Sequence, residues 1–212
     1  MKKIAIFGCS GFALEVADVC HAMGYKNIVL LSQNEEIGQI NGLEIKSEND
    51  IEYLSKNEFV FAIGIGNGSI RKKISEKYAY LYFPNLIHPS AIFGLNQKEI
   101  FNEHIGNIIT AGVIFTNGIK VGNYGLYNLN STIGHDCIIE DFVSIMPSVN
   151  VSGNVHLKNS CMLGVGAVIL QGDTNKKRIV GEHSLVGAQS LVTKDVSAHC
   201  TVFGVPAKVI KH

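Results

Sequence analysis

Residues 130–151, NSTIGHDCIIEDFVSIMPSVNV, place an aliphatic residue at every sixth position: Ile133, Ile139, Ile145 and Val151. The same phase runs back through Tyr127, Val121 and Phe115 to Ile109 and forward through Leu157 and Leu163 to Ile169. At the chain's apolar frequency of 46%, eleven such positions in a row have odds on the order of 2 in 10,000, or about 1 in 1,000 after allowing for the choice of phase. The phase jumps where Gln171 to Arg178 insert five extra residues, and it resumes at Val180, Val186 and Val192. The position four after the apolar one is small or β-branched, as at Val113, Cys137, Val155 and Ala167. A period of six suits neither a helix nor plain alternation. It suits a solenoid in which each hexad is a short strand plus a corner, and three hexads close a triangular coil of ~18 residues. Glycines that follow the apolar position (Gly122, Gly134, Gly164, Gly181, Gly187) are expected to allow the corners.

Upstream of this array the pattern is different. Lys2 to Phe7, Ile28 to Leu31 and Glu58 to Ile65 read as buried strands. Residues 11–23, 49–56 and 69–79 read as helices between and after them. Strand–helix–strand order predicts a parallel sheet with crossover helices, a small Rossmann-like α/β unit that binds ligands at the carboxyl ends of its strands. The segment FPNLIHPSA (83–91) holds two of the four prolines and reads as the joint. The expected domains are therefore 1–83, an α/β Rossmann-like unit, and 84–212, the solenoid.

Composition narrows the function classes. The 212 residues carry 18 Lys plus Arg against 18 Asp plus Glu, so no basic footprint points to nucleic acid or an anionic membrane surface. No run of ~18 apolar residues suggests a membrane span, and the apolar stretch after Lys3 is too short for a signal-peptide core of ~7–15 residues. Five scattered cysteines without a C-x-x-C suggest a reducing cytoplasm rather than a disulfide framework. His135 and His156 are out of step with the ~18-residue coil, which argues against a metal shared between coils.

The chain resembles the hexapeptide-repeat acyltransferases, and more closely the bacterial sugar acetyltransferases that carry an N-terminal nucleotide-sugar domain. This family includes the UDP-4-amino-sugar N-acetyltransferases of bacillosamine synthesis and the sialic acid O-acetyltransferases. The matching elements are GCSGFALEV (8–16), AIGIGN (62–67), LIHPSA (86–91), the repeats, NSTIGHD (130–136), GNV (153–155) and GVPAK (204–208). The resemblance implies a left-handed parallel β-helix, a homotrimer, acetyl-CoA as co-substrate, and an active site between neighbouring β-helices; the histidine spacing adds the expectation of no metal.

It also implies site residues. His135 becomes the general base, and imidazole suits that task because its ordinary pKa of ~6.5 lies near working pH. Asp136 either supports that histidine or is a solvated corner residue, since successive strand side chains face opposite sides. Asn128 either orients the acceptor or tolerates a tight turn. A UDP-amino-sugar is expected against Ser10, Gly11, Phe12, Ser32, Gln33 and Gly64, with Phe12 standing where relatives often carry histidine. The turn departs from G-x-G-x-x-G at Ser10 and Ala13, and Ser32 and Gln33 stand where an acidic ribose-binding residue is expected after the second strand, which argues against NAD. Acetyl-CoA is expected near Ser144, Gly153, Val165, Gly187 and Ala188, with the Gly153 N–H as a candidate oxyanion donor. Lys208 either meets the CoA phosphates or is solvated. The resulting expectation is a cytoplasmic N-acetyltransferase acting on the 4-amino group of a UDP-linked amino-deoxy sugar. O-acetylation of a sialic-acid-like sugar and a non-catalytic trimeric scaffold are the alternatives.

Overall fold

The computed structural model describes residues 1–33, 38–173 and 175–211. Its first part is built from β1 (Lys3–Phe7), α1 (Gly11–Ala22), β2 (Asn27–Ser32), β3 (Gly38–Ile40), β4 (Leu43–Ser47), α2 (Ile51–Lys56), β5 (Val60–Ile63) and α3 (Gly68–Lys77). The strands form one five-stranded sheet in the order β3-β4-β2-β1-β5. All pairs are parallel except β3–β4. That hairpin goes beyond the sequence reading, although Asn41-Gly42 signals it: both residues have positive φ, 50° and 77°, as a tight hairpin turn requires.

Alternation along β1 explains the layers. Ile4 and Ile6 point to α1, whereas Ala5 and Phe7 point to the face covered by α2 and α3. Both faces are buried, as a parallel sheet demands. The Asn67 side chain caps α3 by accepting from the Ile70 N–H at 3.2 Å.

From Leu86 onward the chain winds as a parallel β-helix with three sheet faces. On the first face Leu86–Ile87, Ile108–Ile109, Leu126–Tyr127 and Ser144–Ile145 stack in register. On the second, Ile114–Phe115, Thr132–Ile133 and Asn150–Val151 do the same. The third holds Ile138–Ile139, Val155–Leu157 and Arg178–Val180. Ile109, Ile133, Ile169, Val180, Val192 and the other sixth-position residues all lie in one buried cluster. Phe101, 2% exposed, plugs the first coils against Phe93, Phe115 and Tyr127.

The corners are made differently from the sequence expectation. Every sixth residue from Gly106 to Gly166 is left-handed, and this row includes Tyr124, Asn130, Asp136, Phe142 and Asn154. The glycines after the apolar position have another task, because a Cβ at Gly134 would sit 2.5 Å from Gly153 N and one at Gly164 2.7 Å from Ala188 N. They let successive coils approach, and the left-handed residues turn the chain.

The two parts share a core. Leu86, Ile108 and Leu126, on the outer side of the first face, are fully buried with Ala13, Val16 and other residues of α1. No helix among the described residues is long and apolar enough to cross a membrane.

Candidate active site

His135 follows the second face and precedes the third, so it sits on the edge between them. Asp136 is that edge's left-handed residue, φ 61°. The corner rotates the carboxylate to the same side as the imidazole, and Asp136 Oδ2 lies 2.8 Å from His135 Nδ1. A carboxylate oxygen accepts, so Nδ1–H is the donor, and in the neutral ring that leaves Nε2 with the lone pair. Both side chains are more than half exposed, so the pair is open to a substrate.

The ring lies over Gly153. A Cβ there would be 2.4 Å from His135 Nε2. Glycine at 153 therefore makes the space the imidazole occupies. A cleft of about 420 Å³ opens beside the pair, lined by His135, Asp136, Asn154, Gln171, Gly172, Asp173 and Lys177. The last four belong to the segment that interrupts the repeat. The sequence signalled that segment as a break in phase, and the structure brings it to the edge that holds the histidine.

Asn128 lies on a different edge, between the first and second faces. It is 4% exposed. Its Oδ1 accepts from the Leu129 N–H at 2.8 Å and the Thr110 hydroxyl at 3.3 Å. Val165, Gly187 and Ala188 share that edge. Val165 and Ala188 line a second cleft of about 460 Å³ with Gln189, Phe203, Gly204 and Val205, and Val165, Phe203 and Val205 are exposed. Lys208 is exposed on the final strand, Lys208–Lys211, which pairs antiparallel with Thr201–Phe203. One chain therefore separates the expected base from most of the expected cofactor residues by a whole face.

Ser144 is placed elsewhere, and its expected contact with acetyl-CoA is corrected. It is 1% exposed. Its hydroxyl donates to Gly66 O at 2.7 Å and accepts from Arg71 Nη1 at 3.0 Å. The residue joins the two parts of the molecule and presents no surface to a ligand.

At the carboxyl edge of the sheet three strand ends converge. Gly8 N–H donates to Leu31 O at 3.0 Å, and Gly64 N–H to Phe7 O at 2.9 Å. Ser10, Gly11 and Gln33 are exposed there, Phe12 is half-buried, and Ser32 is 5% exposed. The Ala13 and Leu14 N–H groups donate to Ser10 O at 2.8 and 3.4 Å, and the N-terminus of a helix favours an anion. Gly64 has a packing role, because a Cβ would fall 2.7 Å from Ala13 Cα.

A protein-family model described as the PglD N-terminal domain matches residues 3–78. A GDP-perosamine N-acetyltransferase from Escherichia coli O157:H7 is 32% identical over 178 residues, covering 82% of this chain and 77% of that protein. The structure of WeeI from Acinetobacter baumannii AYE matches with a TM-score of 0.88 at 25% identity, over 99% of this chain and 100% of its own. The acetyltransferase domain of PglB from Neisseria gonorrhoeae FA1090, solved in complex with acetyl coenzyme A, gives a TM-score of 0.87 at 28% identity over 99% of both chains.

Proposed function

We propose that this chain, which belongs to the hexapeptide-repeat sugar N-acetyltransferase family and is an acyltransferase, moves acetyl from acetyl-CoA to the 4-amino group of a UDP-linked amino-deoxy sugar. The observation that carries the reading is the His135 Nδ1–Asp136 contact of 2.8 Å beside an open cleft. Sugar N-acetylation is the activity named for a relative that spans 82% of the chain. The UDP link, the left-handed winding, the division at residues 83 and 84 and a cytoplasmic setting complete the reading.

The chemistry follows from the geometry. An amine attacks a thioester only through its lone pair and must lose a proton as the new C–N bond forms. His135 Nε2 accepts that proton, and the charge it gains is balanced by the Asp136 carboxylate. The tetrahedral oxyanion takes hydrogen bonds from backbone N–H groups, with Gly153 as one donor. The C–S bond then breaks and the thiolate recovers the proton from His135. The nucleotide end of the sugar lies against Ser10, Gly11, Phe12, Ser32 and Gln33, at the N-terminus of α1, which favours an anion.

Because His135 and the Val165–Ala188 edge lie on different edges of one prism, the reading requires two copies to complete each site. A closed ring of three, in which one chain's histidine edge faces its neighbour's Asn128–Val165–Ala188 edge, meets that requirement with one repeated contact.

The test is turnover. Acetyl-CoA and a panel of UDP-, GDP- and dTDP-linked 4-amino-4,6-dideoxy sugars are incubated with the protein and the products weighed by mass spectrometry. Gain of one acetyl group on the UDP sugar is expected, and preference for another nucleotide would replace that part of the reading. His135→Ala should fold and assemble yet lose roughly 100- to 10,000-fold in kcat. A folded His135→Ala protein with wild-type turnover removes the mechanism.

A further inference from the structure

We propose that Lys177, brought in by the segment that breaks the repeat, is a positioning residue that holds the His135–Asp136 pair in its working geometry. The proposal rests on the reading of His135 as the base. Adjacent side chains of an extended chain diverge, so the pair meets only because Asp136 is left-handed. The corner itself is set by position in the hexad, as at Tyr124 and Phe142, so aligning the two side chains on it calls for further contacts to the carbonyls of the dipeptide.

Two linked groups supply those contacts. The Lys177 ammonium donates to the Asp136 carbonyl oxygen and to Asn154 Oδ1, the latter at 2.8 Å. The Asn154 N–H donates to the His135 carbonyl oxygen at 2.7 Å, and its side-chain amide donates to Asp173 O. Both carbonyls of the dipeptide are thus held, one by each member of a bonded pair. The neighbouring cations show that this placement is selective. Lys176 pairs with Asp195 at 2.7 Å and Arg178 approaches the same carboxylate at 3.7 Å. Of three consecutive cations, Lys177 alone turns toward the histidine, and it lines the same cleft.

The experiment compares Lys177→Met, Lys177→Gln and Lys177→Arg in the full-length protein. Lys177→Met should lower kcat roughly 10- to 100-fold through misplacement of the base, with KM for acetyl-CoA unchanged to within about twofold. Lys177→Arg, which can still donate to both oxygens, should recover most of the loss. In a His135→Ala background Lys177→Met should cause no further loss, because a positioning residue has nothing left to position. An equal loss in both backgrounds, or a loss confined to KM for acetyl-CoA, overturns the proposal. A crystal structure of Lys177→Met, or of Lys177→Gln should the first fail to fold, needs no turnover. The His135–Asp136 contact should be open in it, and an unchanged 2.8 Å contact overturns the proposal. Absence of acetyl transfer by the wild-type protein would instead overturn the functional reading.

Discussion

Arg71 Nη1 lies 3.0 Å from Ser144 Oγ, a contact between residues 73 positions apart. It belongs to a set that joins the α/β sheet to the β-helix. The same guanidinium donates to Ile65 O and Gly66 O on one side and to Tyr124 O, Phe142 O and Val143 O on the other. Arg71 is 1% exposed. Burial pulls its pKa down to about 9, which leaves it charged at neutral pH. The planar fork spans acceptors that no other side chain could reach together.

Replacing Arg71 by Met should therefore orphan carbonyls on both sides. A loss of roughly 3 kcal/mol or more is expected. Urea denaturation should show the α/β part unfolding ahead of the coil. Arg71→Lys should not restore a single transition, since an ammonium cannot span the same acceptors. One cooperative transition at the wild-type midpoint in Arg71→Met would contradict the role.

Gly153→Ala tests the cradle under the imidazole. The added methyl would stand 2.4 Å from His135 Nε2, so the ring must leave. Because His135 is exposed, the melting temperature should change little, while kcat falls roughly 100-fold. Wild-type turnover in this variant would show that Nε2 does not work from its present position.

Gly64→Ala tests packing at the strand ends. Its methyl would meet Ala13 Cα at 2.7 Å and Ile6 Cγ2 at 2.8 Å, where α1 and β1 cannot yield without moving backbone. Chemical denaturation should report a loss of about 1–3 kcal/mol. A neutral variant would mean that α1 can shift freely.

Glu140 gives a pH dependence with a definite sign. Burial raises its carboxyl pKa, but Lys158, the Asn159 N–H and His156 outweigh that and hold it below the ordinary 4.5. Lys158 Nζ is 2.8 Å away and His156 Nε2 2.7 Å. The folded state therefore binds the proton more weakly than the unfolded chain. The stabilisation is complete above the unfolded value and is lost as pH falls through the folded one. The difference in urea midpoint between wild type and Glu140→Gln should be constant well above the ordinary value of 4.5 and should close as pH falls below it through the lower folded value. A difference that persists in acid would assign the stability elsewhere.

Much of the coil was legible because its information is local. Ile133, Ile139 and Ile145 announce the core whichever coil lies above or below. The residue types at the corners announce nothing comparable. Tyr124 and Phe142 are left-handed with φ of 54° and 59°, and neither type favours that region. Position in the hexad overrides type, so the turn at Asp136 could be left open in the sequence but not decided. Asp136 met its histidine for that reason.

The amino-acid order by itself determined a six-residue repeat, an α/β sheet ahead of it and a histidine in the repeat, because each depends on spacing between near neighbours. Only the folded molecule decided that Ser144 faces Arg71 rather than a ligand, that the interrupting segment returns to the histidine, and that the expected base and most of the expected cofactor residues occupy separate edges. Lys177 and Asp136 are 41 residues apart. The physical reason is that periodicity records which side chains point inward, whereas contacts over such separations depend on how the finished surfaces dock.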